Sequence, residues 1–350
     1  MATGTDIGSR IAAKLKKFQM ELPDASSLDS ILLDDILSNP ALVGFLECFA
    51  AKQFCDENIR FFHRVGWWIN QYETKSEEDI CTEANAIFEI FVDTGSMTEI
   101  SLSSEARQSV LVALETMPPL IDSFNVALKE SYSTIDMDLF PRFKASADFA
   151  SLKRLLSIKR TADDIFSHFD KIGILPDTLF NREGFSLQQI DFKNVTLDEV
   201  LEDKYMTRVF TAFLAKKHAA ENTMCYQSIQ GFKRNYATTN KNGPLAQFST
   251  PQKIEQTRET AWLIYVAFIM NGAEYEVSTS MGCRKSIAFH VGNPACNMFA
   301  EVEQRCYEQQ VTLFSEFRLS DEYNSLEHVM VEAKKGLGKP SPRSTVCTVQ

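Results

Sequence analysis

Apolar positions along this chain recur with a helical period over nearly its whole length. Residues 9–22 show the pattern first: Leu15, Phe18 and Leu22 follow Ile11 at spacings of four, seven and eleven, which places all four on one helix face. Arg10, Lys14, Lys16 and Lys17 make the other faces basic. The segment reads either as a helix docked on the neighbouring domain or as one lying on an anionic membrane. Prolines at 23, 40, 118, 119 and 141, and then at 176, 244, 251 and 294, punctuate the later helical stretches. Sustained alternation with a period of two is nearly absent, so the expected fold class is all-α.

The helical pattern also occurs twice. Leu33-Asp34-Asp35-Ile36-Leu37 matches Leu197-Asp198-Glu199-Val200-Leu201, 164 positions on. The same offset superposes Phe49 on Phe213, Glu57-Asn58 on Glu221-Asn222, Phe62 on Tyr226, Trp68 on Phe232 and Tyr72 on Tyr236. Beyond a polar stretch at Ala237–Pro251, which reads as a longer loop, the offset is 177 and pairs Ile87-Phe88 with Ile264-Tyr265, Phe91 with Phe268 and Arg107 with Arg284. It ends at 174, where Leu139, Phe143 and Leu152 meet Leu313, Phe317 and Leu326.

A chain of 350 residues exceeds one ordinary core. The expected organisation is an N-terminal basic amphipathic helix (1–27), copy one (28–158), a helical connection (159–189), copy two (190–332) and a flexible basic tail (333–350). The connection has apolar positions of its own at Ile165, Phe169, Ile172 and Leu175.

Composition narrows the function. With 44% hydrophobic and 24% charged residues the chain is globular, and 26 Phe against 14 Gly suits helices packed through aromatic rings. A net charge of −11 argues against general nucleic-acid binding, which needs a basic footprint. The eight cysteines, at 48, 55, 81, 225, 283, 296, 306 and 347, form no CxxC pair, so they read as small buried hydrophobes of a reducing compartment. The histidines at 63, 168, 218, 290 and 328 lack helical metal-ligand spacing, and no Gly-rich phosphate loop occurs. No cofactor, no metal and no active site of the chain's own are expected. No apolar run reaches the roughly 20 residues of a membrane span. The N-terminus lacks a secretory apolar core, and Ala2 stands where myristoylation needs glycine.

Three motifs stand in order along copy one, the first with a counterpart in copy two. The first is Leu46-Glu47-Cys48-Phe49-Ala50 followed by Asp56-Glu57-Asn58-Ile59-Arg60-Phe61-Phe62. Its counterpart is Phe210-Thr211-Ala212-Phe213-Leu214 followed by Glu221-Asn222-Thr223-Met224-Cys225-Tyr226. The second is the loop Ile100-Ser101-Leu102-Ser103-Ser104-Glu105-Ala106-Arg107, and the third is Asp138-Leu139-Phe140-Pro141-Arg142-Phe143 running on through Ser146 to Phe149.

Each unit resembles the regulator of G-protein signalling (RGS) domain. The resemblance implies two RGS-type helical domains in tandem, each a four-helix bundle plus a terminal helical subdomain. In that family the three motifs form a face that holds the switch regions of a GTP-bound Gα subunit in their transition-state arrangement. Gα carries its arginine in cis, so such a domain activates a GTPase without being an enzyme. Carried over to this chain, Asn58 and Ser101 lie near the Gα residue that positions water. Glu57 receives switch donors, and Asp138 accepts from the switch backbone, steadied by Arg142 one turn away.

Plainer readings exist for the same residues. Glu57–Asn58 also fits the start of a helix, and Asp138–Arg142 an ordinary surface pair. A non-catalytic RGS-like scaffold is the alternative function. Copy two departs from the pattern, with Thr312 for Asp138, Glu316 for Arg142, Gly282-Cys283 ahead of Arg284 and His218-Ala219-Ala220 ahead of Glu221. The expectation is that it keeps the fold and has lost the activity.

The last four residues, Cys347-Thr348-Val349-Gln350, resemble a prenylation box, and the final Gln suggests farnesyl. Lys334, Lys335, Lys339 and Arg343 against Glu332 give +3 just upstream. Together these would supply the two signals a stable lipid anchor needs. The expected location is cytoplasmic, attached to the cytoplasmic face of a membrane through Cys347.

Overall fold

The computed structural model describes residues 20–158, 194–239 and 250–328, together with single positions at 12–15 and 161–169. Among the described residues there are helices and no strands.

In copy one, α1 (Leu33–Leu37), α2 (Pro40–Lys52), α3 (Glu57–Gln71), α4 (Glu77–Ile87), α5 (Ser104–Leu114), α6 (Asn125–Thr134), α7 (Phe140–Lys144) and α8 (Ala147–Leu156) follow one another. Copy two has α9 (Leu197–Glu202), α10 (Lys204–Lys216), α11 (Ala220–Thr239), α12 (Pro251–Ile264), α13 (Met281–His290) and α14 (Ala300–Arg318). Helix α11 continues to Thr239, so the segment expected as a loop from Ala237 begins as helix. Starts follow local chemistry. Asn39 accepts from the N–H groups of Ala41 and Leu42, with Pro40 in the first turn of α2. Ser76, Ser103, Ser146, Thr250 and Ser280 cap α4, α5, α8, α12 and α13.

Small backbone devices recur with the helices. Phe54 and His218, 164 positions apart, both have φ of 54°. The residue after each donates to a carbonyl five back, Cys55 to Ala50 at 3.1 Å and Ala219 to Leu214 at 3.0 Å. One π turn follows α4 (Phe88–Val92) and another follows α12 (Tyr265–Ile269). Gly95 and Gly272 take positive φ just beyond them. Ile100 donates to Phe91 and Val277 to Phe268, each at 2.8 Å.

One register change separates the copies. Phe124, which precedes α6, answers to Phe299, 175 positions on, and the buried Ala127, Ser131 and Ile135 answer to Val302, Cys306 and Gln310. Past residue 139 the offset is 174, and the buried Phe143 answers to Phe317. A third π turn, Ile135–Leu139, absorbs the extra residue of copy one. Copy two runs as a single helix there.

Copy one's bundle and terminal subdomain share one continuous core with copy two's bundle. Copy two's terminal subdomain keeps a smaller core of its own, built around Phe210, Phe213, Phe317 and Tyr323. The copies meet where α2 crosses α13. A β-carbon on Gly44 would lie 1.9 Å from the carbonyl oxygen of Phe289, and one on Gly292 would lie 2.6 Å from the carbonyl carbon of Gly44. Only glycine permits that approach of two backbones. His63 stacks on Phe289 at 4.2 Å and is pushed down to about pKa 4, chiefly by burial and then by His290 and Arg64.

Leu15 is buried in the shared core, and its carbonyl accepts from the Asn70 amide at 2.6 Å. Ile11 and Phe18 lie outside the described residues. In the connection, Ile165 and Phe169 are buried, while Ile172, Leu175 and the tail with Cys347 lie outside them.

Candidate functional site

The first segment begins where α2 ends. The chain turns through Gln53–Asp56 and becomes helical again at Glu57. Phe54 occupies the left-handed region and is 94% exposed, an arrangement that costs a β-carbon-bearing residue about 1 kcal/mol or more. Asn58 is buried. Its amide donates to Glu57 Oε1 at 3.0 Å, and its Oδ1 accepts from Ser131 Oγ at 2.7 Å. The plainer reading of a helix start holds in part: Glu57 opens the helix as its first-turn acid, while the N-cap position is Asp56, which makes no side-chain cap bond. Asn58 instead joins α3 to α6 and holds Glu57.

The second segment is the loop before α5. Glu99 accepts from the Gly95 N–H at 2.8 Å and from Arg107 at 2.7 Å, and these donors, the Gly95 bond foremost, hold its carboxyl below the usual range. With Ile100 buried, Ser101 is held out in solvent. Ser103 donates through its N–H (2.8 Å) and its hydroxyl (2.6 Å) to Glu130, the neighbour of Ser131 on α6. Arg107 belongs to α5 and pins the loop from behind.

The third segment straddles the π turn. Arg142 donates to Asp138 Oδ2 at 2.6 Å, and both side chains are exposed. Pro141 has no N–H to give to the preceding turn, which is why the helix loosens at this point. The thiol of Cys55 lies against the Arg142 guanidinium and is raised by its own burial. The first and third segments therefore touch.

These contacts link the three separately encoded segments: the first and second through Ser131 and Glu130 on α6, the first and third through Cys55 and Arg142. Ser101, Asp138 and Arg142 are exposed, Glu57 is half-buried, and Asn58 is buried against Glu57. Sequence reasoning overlooked Phe54, Cys55, Glu130 and Ser131. An aromatic residue in the polar run Lys52–Asp56, off any apolar helical stripe, was the available signal for Phe54. Nothing marked Ser131 without the 175-residue register.

Copy two repeats part of this. Asn222 donates to Glu221 at 3.1 Å, as Asn58 does to Glu57. Arg284 reaches Glu276 at 2.8 Å, as Arg107 reaches Glu99. Cys306 replaces Ser131, so the hydroxyl that holds Asn58 has no counterpart. Thr312 turns its hydroxyl onto its own helix at Glu308, and Glu316 pairs with Lys217 at 2.9 Å.

Among the described residues no group of His, Cys, Asp and Glu side chains is placed to hold a metal ion. No helix among them is long and apolar enough to cross a membrane.

The model of the regulator of G protein signaling domain matches residues 32–152 and again 196–326. This chain belongs to that family. The doubled match makes it a tandem RGS-domain protein, all-α in class and a regulator of G-protein signalling. Regulator of G-protein signaling 1 of Mus musculus is 25% identical over 160 residues, which cover 43% of this chain and 73% of the mouse protein. Regulator of G-protein signaling 8 of Rattus norvegicus is 27% identical over 122 residues, covering 34% of this chain and 63% of the rat protein. Regulator of G-protein signaling 1 of Xenopus tropicalis is 30% identical over 107 residues, 30% of this chain and 49% of the frog protein. The RGS chain thus aligns with less than two thirds of the rat and frog proteins, through a stretch the length of one domain.

Proposed function

We propose that copy one accelerates GTP hydrolysis by a heterotrimeric Gα subunit, binding the GTP-loaded form and holding its switch regions in their transition-state arrangement. What supports the reading is that contacts tie the three segments together: Asn58 to Ser131, the Ser101 loop to neighbouring Glu130 through Ser103, and Cys55 to Arg142. Such a face adds no base and no arginine finger. It lowers the barrier by preorganisation: fixed acceptors hold the mobile switches, and the attacking water stays in line. Asp138 accepts from switch backbone and Arg142 keeps it aimed, Glu57 takes switch donors, and Asn58 holds Glu57 from beneath. Ser101 lies beside the residue that positions water, and Phe54 offers an apolar anchor at the rim.

Copy two, with Glu316 tied to Lys217 and Cys306 where copy one has Ser131, does not accelerate hydrolysis in this reading. The tail, prenylated at Cys347, holds the protein to the cytoplasmic membrane face that carries Gα and raises the encounter rate through local concentration.

Single-turnover GTP hydrolysis by purified Gα subunits, with and without the chain, tests this. Acceleration is expected, abolished by Asn58→Ala and by Asp138→Ala and unchanged by Glu316→Ala. If none of several Gα classes responds at saturating protein, the proposal fails and a non-catalytic scaffold takes its place.

A further inference from the structure

Arg258 belongs to copy two but acts on copy one. It lies on α12, is 4% exposed, and has its guanidinium at the join between the copies. Nε donates to the Gly292 carbonyl at 2.9 Å, Nη1 pairs with Glu255 at 3.1 Å, and Nη2 reaches Asp148 at 3.1 Å and Cys48 Sγ at 3.5 Å. The planar group also sits over the Phe45 ring at 5.3 Å.

Asp148 is itself a junction. Both its oxygens accept from Lys52, at 2.7 and 2.9 Å. Lys52 is the last residue of α2, and the chain runs from it through Phe54 straight into Glu57. Asp148 lies in the first turn of α8, just beyond Arg142 on α7. The two segments that carry four of the five candidate face residues are therefore joined behind the face by one carboxylate, and that carboxylate is held by an arginine from the other copy.

We propose that Arg258 is a positioning residue for the face of copy one, and that copy two serves that face as a built-in brace. The inference rests on the activity proposed above. It also accounts for the retention of a second domain whose own face is broken. Copy one has Cys81 at the position matching Arg258, so the brace runs in one direction only. Arg258 touches neither Gα nor any reacting group; it acts through Asp148 and Lys52.

The test uses the full chain and the variants Arg258→Met, Arg258→Lys and the double variant Asp148→Asn/Arg258→Met. The single change leaves the buried Asp148 carboxylate with Lys52 but without its buried arginine, and the double variant removes that charge, so it recovers stability without restoring the link. Two readouts are taken at a temperature where far-UV circular dichroism shows every variant folded. One is affinity for Gα·GDP with aluminium fluoride, the mimic of the transferring phosphoryl group. The other is hydrogen exchange of the backbone amides of residues 53–58.

Misplacement of a preorganised face by about 1 Å costs roughly 10- to 100-fold, and a weakening of that size is expected for Arg258→Met and for the double variant. Faster exchange at 53–58 should accompany it, and Arg258→Lys should fall between them and the unaltered chain. If the double variant is folded yet keeps full affinity and full protection, the proposal is overturned. Should the unaltered chain bind no Gα, the activity reading fails alone, and unchanged exchange at 53–58 still overturns the brace while faster exchange upholds it.

Discussion

Copies one and two share most of what shapes the backbone and differ chiefly in what the backbone presents. The left-handed residue before the Glu-Asn pair, the π turn after α4 or α12, the positive-φ glycine and the Glu–Arg tie behind the loop occur in both. At the candidate site Asp138 and Arg142 become Thr312 and Glu316, and Ser131, which holds Asn58, becomes Cys306. Fold is held by many small constraints spread along the chain, whereas the face depends on a few side chains that must all be present. A domain can therefore lose its face and keep its form.

The largest expected effect concerns the crossing that makes the copies one body. Gly44→Ala drives a methyl into the Phe289 carbonyl. We expect a loss of about 4 kcal/mol or more, read by denaturant unfolding, or no soluble protein. The matching control is Gly282→Ala, in α13 with nothing within 4 Å of the added carbon. It should stabilise by about 0.5–1 kcal/mol. Opposite signs at two helical glycines would sharpen the picture, and a tolerated Gly44→Ala would break it.

Next comes the Glu-Asn pair. Asn58→Ala strands the buried Ser131 hydroxyl and should cost about 1–3 kcal/mol. Asn222→Ala, with Cys306 in place of that hydroxyl, should cost less in the same urea titration. Equal costs would mean that the two pairs do one job.

Glu47 on α2 supplies a pH effect. Burial first, then Asp56, push its carboxyl up to about 7, with Arg60 opposing. A folded pKa above the unfolded value of 4.5 means the native state holds the extra proton between those values. Stability from this group is thus present below about pH 4.5, lost as pH rises to about 7, and flat above. Glu47→Gln should raise stability at pH 8 by about 1–3 kcal/mol and flatten that slope. His63 runs the other way, because its depressed pKa removes stability as pH falls from 6.5 to about 4. The slope expected from Glu47 is therefore best read from pH 6.5 up to about 7, with pH 8 as the flat baseline.

The smallest effect belongs to the broken face. Lys217→Ala should change stability by less than about 1 kcal/mol, since the Lys217–Glu316 pair is exposed. A larger loss in thermal unfolding would give that pair a structural role it does not have in this reading.

Much of the fold could be read from the sequence because helix period and aromatic spacing are local signals. The repeat exposed Glu57–Asn58 and Glu221–Asn222 directly, and the motif order gave Ser101, Asp138 and Arg142. What stayed hidden depends on distance in space. Gly44 and Gly292 look like ordinary small residues until two backbones cross on them, and Arg258 sits in the plain polar run Gln256-Thr257-Arg258-Glu259. The expected tandem organisation left open how the copies pack, and the shared core is that packing. Periodicity says that a face is apolar but not which neighbour covers it.

The π turn at Ile135–Leu139 bears on how such a chain can change over time. Inserting one residue in a straight helix swings everything downstream by about 100°, which would turn Phe143 out of the core. A wide turn takes up the surplus locally, so the buried positions on both sides stay buried. This stretch is a joint at which the lineage could add or remove a residue without breaking the domain. The residues riding on it, Asp138 and Arg142, belong to the part that was free to be re-aimed.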